Sequence, residues 1–218
     1  MDAFALAGLG LVLGLRHAAD TDHVVAVAAI ASRYKRVLPA ALIGAFWGLG
    51  HTLTICVVGG AIILFNLVIS PRVGLALEFA VGIVLTLVGL LNLSGRGGFV
   101  GAGPGTDGVS RLRPFLVGLV HGLAGSAAIA LLVLATVREP LAACAYLLVF
   151  SLGTILGMMV VTVAFASPLA WLSGRFAWSG RGLRVATGLL SVAFGMWVMF
   201  EIGWVDGLFG AAPRWDPH

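Results

Sequence analysis

Six long apolar runs bounded by short polar or basic breaks make up most of the chain, at roughly residues 3 to 32, 38 to 69, 73 to 95, 112 to 137, 140 to 172 and 182 to 205. Each is long enough to cross a hydrocarbon layer of about 30 Å, which takes about 20 helical residues at 1.5 Å apiece. A membrane barrel would alternate apolar and polar positions over short segments, and these stretches of Leu, Val, Ala and Gly do not. The pattern predicts an all-α polytopic membrane protein with six transmembrane helices, forming one membrane domain over residues 1–218. Composition strengthens this reading: 60% of residues are hydrophobic, 10% are charged and the mean hydropathy is +1.09. Those values lie far from those of water-soluble domains. The first run follows Asp2 and has no basic leader, so it reads as a retained span and not a cleaved signal.

The two halves of the chain repeat. Gly14-Leu15-Arg16-His17 aligns with Gly118-Leu119-Val120-His121, Leu49-Gly50-His51 with Leu152-Gly153-Thr154, and Gly82 and Gly89 with Gly188 and Gly195, at offsets of 103 to 106 residues. This predicts repeat one over about 1–95, a Gly-rich cytoplasmic loop over about 96–111 and repeat two over about 112–218. Three crossings per copy is an odd number, so the second copy must insert upside down. The resulting 3+3 inverted-topology repeat is an architecture shared by many secondary transporters, which bind substrate near the midplane.

Charge placement agrees with that topology. Nine of the 13 Lys and Arg residues fall on alternate connections: Arg33, Lys35 and Arg36; Arg96, Arg111 and Arg113; Arg175, Arg181 and Arg184. By the positive-inside rule both termini face outward, in a bacterial or archaeal plasma (inner) membrane. The pI of 9.8 then reflects this bias and contact with anionic lipid, and there is no case for nucleic acid as a partner. Cys56 and Cys144 sit inside apolar runs and read as buried thiols without a disulfide framework. Glycines spaced at Gly10 and Gly14, Gly118 and Gly122, and Gly153 and Gly157 predict close helix packing. None lies in a phosphate-binding loop, so any driving energy comes from gradients or a partner.

The chemistry is concentrated at His17-Ala18-Ala19-Asp20-Thr21-Asp22-His23, in the middle of the first run. A charged side chain near the bilayer centre costs about 2.5 to 3.5 kcal/mol on insertion scales, so two imidazoles and two carboxylates beside Arg16 need compensation. A bound cation is the simplest source. Helical rise places His17 and His51 ~20 Å into their spans and His121 ~14 Å into its own, all within the hydrocarbon zone. A continuous helix would spread His17, Asp20 and His23 over about 120° and point Asp22 elsewhere. The alternative is a break, with Asp20 or Thr21 capping a restarted helix. Arg16 is the partner expected for Asp20 one turn along. Glu78 and Glu201 fall near outer span ends and read as interfacial, and His218 belongs to a solvated tail.

Imidazole nitrogens joined by carboxylates suit divalent nickel, cobalt, zinc, copper or iron and suit calcium or magnesium poorly. The carboxylates also offset the charge of an arriving dication. The candidate metal ligands are therefore His17, Asp20, Asp22, His23, His51 and His121, with no resident cofactor and the ion itself as cargo. Binding needs neutral imidazole, so acid is expected to weaken it.

His17-x4-Asp22-His23, preceded by Arg16, resembles the signature of the NiCoT nickel/cobalt permeases, and Gly50-His51-Thr52 after Phe46-Trp47 resembles their second motif. That family carries its signature in the second span, so this chain resembles a version without the first helix. The second-half carboxylates of the family are missing: the chain reads His121-Gly122-Leu123-Ala124-Gly125-Ser126, and a later motif survives as Gly157-Met158 with Thr162. The former stretch resembles the short, six-span, urease-accessory branch of these transporters, where His121 stands in for acidic ligands. The resemblance implies uptake of Ni²⁺, with Co²⁺ as second choice, by a protein that is not an enzyme. It also implies partners among metallochaperones and urease or hydrogenase maturation proteins. Two rivals stay open: efflux by the same fold, and an intramembrane metal-dependent hydrolase or thiol electron carrier.

Overall fold

The computed structural model describes residues 3–31, 37–65, 70–94, 109–122, 137, 139–175 and 179–215. All regular structure among them is helical: α1 (Ala3–His17), α2 (Thr21–Ala31), α3 (Val37–Phe65), α4 (Pro71–Leu93), α5 (Val109–His121), α6 (Pro140–Arg175) and α7 (Ser179–Phe200), which runs into a π-helical turn at Glu201–Val205. Pro71 and Pro140 each open a helix, where the fixed φ fits and the missing N–H costs nothing.

Four helices are long and apolar enough to cross a membrane unaided: Leu38–Ala61, Pro71–Leu93, Pro140–Pro168 and Arg181–Val205. The first apolar run is two shorter helices, α1 and α2, separated by a break at residues 18–20. The span expected at 112–137 lies outside the described residues after Gly122, Val137 excepted, as does the Gly-rich linker up to residue 108; α5 then begins at Val109. The outer surface is apolar along helical stripes, for example Leu42, Leu49, Leu53 and Val57 on α3 and Leu141, Leu148, Leu152 and Leu156 on α6. Imidazoles lie inside. A water-soluble protein distributes these residues the other way, so lipid is the solvent for the outer stripes. The molecule is a polytopic membrane protein.

Two helix assemblies share the bundle. In one, α3 packs against α5 and α6, and α1 against α6; in the other, α4 packs along α7. Helix α2 reaches α4, α6 and α7 and joins the two. An apolar cluster from α2, α3, α4 and α6 includes Val25, Ile30, Ile43, Trp47 and Leu85. A second, from α1, α3 and α6, includes Leu6, Ile55, Tyr146 and Phe150. After the π-helical turn, Gly207 adopts a left-handed φ of 77° that reverses the chain, a conformation open to glycine at no steric cost. The reversal carries Trp215 over Gly74, where its indole N–H donates to Glu78 Oε1 at 2.8 Å.

Neither thiol is a core residue. Cys56 is half-buried with its sulfur 3.4 Å from Ser151 Oγ, and Cys144 is exposed. Cys144 falls on the lipid-facing stripe of α6 between Leu141 and Leu148, which sequence hydrophobicity cannot tell from a core position.

Candidate metal centre

The break between α1 and α2 builds the site. Helix α1 stops at His17, Ala19 N–H and Asp20 N–H turn back to the carbonyls of Arg16 and His17, and Val24 N–H bonds Asp20 O to start α2. Asp20 thus occupies the backbone capping position of α2. Its carboxylate does something else: Oδ2 accepts from His17 Nδ1–H at 3.0 Å. A carboxylate on Nδ1 leaves Nε2 as the lone-pair nitrogen and fixes the ring's orientation, the usual arrangement behind a metal-ligating histidine. Arg16 is exposed, and the partner that Asp20 takes is His17 instead of Arg16. The restart also turns Asp22 into the site: Oδ2 lies 3.0 Å from His121 Nε2 and Oδ1 lies 3.3 Å from His23 Nδ1. On an unbroken helix Asp22 would face away.

Four imidazoles from four helices converge here: His17 from the end of α1, His23 from the first turn of α2, His51 from mid-α3 and His121 from the end of α5. Each of the last three is fully buried, and His17 is 5% exposed. His17 Nε2 and His51 Nε2 are 2.8 Å apart. Ring centroids are separated by 4.8 Å for His17 and His23, 5.0 Å for His23 and His51, and 4.6 Å for His23 and His121. Two groups place their ligand atoms within 4.8 Å of one another: His17, His23 and His51, and Asp22, His23 and His121. Asp20 reaches this cage only through His17.

Small residues allow the approach. A Cβ on Gly14 would strike the carbonyl of Phe150, one on Gly50 the carbonyl of Phe115, and one on Gly118 the carbonyl of Trp47. Thr54 ties α3 to α5 by donating to Leu119 O at 2.7 Å. Helices α1 and α5 both end at the cage, so their C-terminal carbonyls turn partial negative charge toward it. A cation is favoured there.

The hydrogen-bond accounting points the same way. His23 and His121 have no aligned partner at either ring nitrogen, and His51 has none at Nδ1, among the described residues. Buried polar groups are paired in roughly 90% or more of cases, and each orphan costs about 1 to 3 kcal/mol. Two of these nitrogens, His23 Nδ1 and His121 Nε2, face Asp22 out of hydrogen-bond alignment, and with His23 Nε2, His51 Nδ1 and His121 Nδ1 they form a set of donors for a guest. Motif reading missed two walls of this cage. Phe150 lies 5.6 Å from the His17 ring, and Trp47, noted only as part of a motif, lies 5.6 Å from His121. The repeat offset is the signal that finds Phe150, since it falls 103 residues after Trp47.

Fold and site together define a polytopic membrane protein with a buried His/Asp centre able to hold a metal. The chain is 35% identical to the urease accessory protein UreH of Bacillus sp. (strain TB-90) over 227 aligned residues, covering 96% of this chain and 96% of that protein. It belongs to that protein's family. No family model and no solved structure matches it.

Proposed function

We propose that this protein is a secondary transporter that takes up a divalent transition-metal ion, Ni²⁺ foremost and Co²⁺ second, across the plasma membrane. The observation that carries the reading is the convergence of buried imidazole nitrogens on Asp22, with His23, His121 and Asp22 within reach of one ion. Nitrogen donors with a carboxylate favour late first-row dications over calcium or magnesium. Kinship with a urease accessory protein supports nickel as the ion and urease maturation proteins as downstream partners. Nickel is the substrate here, with no separate cofactor.

The transport architecture we assign is six spans in a 3+3 inverted repeat with both termini outward. Paired contacts support it. Gly14 meets Phe150 while Gly118 meets Trp47; Gly50 meets Phe115 while Gly153 meets Leu11; and Gly82 meets Gly195 while Gly188 meets Gly89. Each pair interconverts under the same offsets of 103 to 106 residues. Helices α1 and α2 together make the first crossing, broken at the cage as in other transporters with discontinuous spans. The ion enters from outside, exchanges water for imidazole and carboxylate, and leaves inward as the repeats rock. Two charges crossing 100 mV gain about 4.6 kcal/mol, which is a sufficient drive.

The test is radioactive nickel accumulation by cells and by inverted vesicles. Uptake by cells and extrusion from vesicles, both lost in His17→Ala, supports the reading. Reversed directions establish efflux, and no metal movement in either system overturns transport.

A further inference from the structure

We infer that the cage holds its cation at two successive positions that share His23: an outer one among His17, His23 and His51, and an inner one among Asp22, His23 and His121. This rests on the uptake reading and specifies its central step.

The geometry separates the two sets. Rings of the first set stand 4.8 to 5.0 Å apart pairwise, and the His23 and His121 rings are 4.6 Å apart. His51 and His121, the outlying members of the two sets, are separated by 6.0 Å. Ligand atoms on one ion at about 2.0 to 2.1 Å lie at most about 4.2 Å apart, and the donors fall into two groups, each within 4.8 Å of one another, that share only His23. His23 touches both sets, and neither of its ring nitrogens has an aligned hydrogen-bond partner. It can stay bound while the ion trades His17 and His51 for Asp22 and His121.

Symmetry points to the same division. His17 and His121 are repeat equivalents, as are Phe150 and Trp47. Phe150 backs His17 and Trp47 backs His121 at the same ring separation of 5.6 Å. Phe150 belongs to the apolar cluster on one side of the cage and Trp47 to the cluster on the other. The repeat relates one histidine and one aromatic wall of the first position to those of the second, while His51 aligns with Thr154, so the remaining ligands are particular to each position. The two are not equal in charge. The outer set is all imidazole and the inner set contains Asp22.

The experiment uses purified full-length protein in detergent, titrated with Co²⁺ and followed by its ligand-field absorption, alongside ⁶³Ni²⁺ uptake into proteoliposomes. Asp22→Asn preserves side-chain shape and removes only the inner charge; His121→Ala removes an inner imidazole; His51→Ala removes an outer one. We expect Asp22→Asn and His121→Ala to keep Co²⁺ absorption with affinity within about threefold of wild type while uptake falls by about tenfold or more; His51→Ala should lose about tenfold or more in affinity. Retained cobalt absorption itself reports a folded outer set. Equal affinity losses in all three variants would reduce the cage to one position and leave the uptake reading intact. Wild-type uptake in Asp22→Asn would also overturn the proposal. A wild-type protein that neither binds Co²⁺ nor moves Ni²⁺ would overturn the uptake reading, and the two positions with it.

Discussion

Helices α4 and α7 and the histidine cage are both places where small residues let backbones touch and polar groups lie buried, yet they end in opposite states. Along α4 and α7 the glycines Gly82, Gly89, Gly188 and Gly195 bring the chains together. Asn92, Thr187 and Ser191 are hydrogen-bonded there: Asn92 Nδ2 donates to Thr187 Oγ1 at 3.1 Å and to Arg184 O at 3.2 Å, and Ser191 donates to Leu85 O at 2.8 Å. In the cage the approach is as close, but the ring nitrogens of His23 and His121 find no aligned partner. Completed polar contacts make a scaffold. Incomplete ones, held together against their desolvation cost, make a site.

Removing a cage ligand breaks this contrast most severely. His51→Ala is expected to bring cellular nickel accumulation down to that of cells lacking the protein, with folded protein still recovered in detergent because a single side-chain hydrogen bond, to His17 Nε2 at 2.8 Å, is lost. Normal accumulation would show that the cage is only a packing element. On the scaffold side, Gly89→Ala places a Cβ 2.7 Å from Gly188 O, so the helices must part. It should destabilise by about 1 to 3 kcal/mol, read as a lower melting temperature, with nickel uptake falling only in proportion to folded protein.

Metal addition sharpens the comparison from the other direction. Ni²⁺ at 100 times its dissociation constant should stabilise wild type by about 2.7 kcal/mol and His51→Ala much less, whereas a scaffold variant such as Gly89→Ala keeps the full increment. Asn92→Ala should cost about 0.6 kcal/mol, and no more than about 1.7 kcal/mol, in melting experiments and leave the nickel response unchanged, these being the average and maximum for hydrogen bonds between membrane helices. The smallest effect belongs to Cys56→Ala with Cys144→Ala. Neither thiol is in the cage, so nickel uptake should match wild type; a loss would revive a thiol-based chemistry.

The sequence was most informative where lipid imposes one-dimensional rules. Apolar run lengths reported a helical membrane protein, and small-residue spacing reported close helix contacts. His17, Asp22, His23, His51 and His121 stood out because ionisable groups at that depth require a reason. Composition along a single chain carries no information about which face of a helix meets its neighbours. Cys144 accordingly looked buried and lies on the lipid side, and Asp20 looked like a ligand or a partner of Arg16 and instead orients His17.

What the amino-acid order determined by itself is the set of donors and the solvent they are hidden from, because hydrophobicity and charge act locally and add along the chain. What only the tertiary structure decided is which donors meet. The break at residues 18–20 swings Asp22 toward His121, 99 positions away, and sets His23 between two groups. Those distances depend on helix crossing and on glycine contacts between residues more than a hundred positions apart, such as Gly14 with Phe150, and no local pattern encodes them.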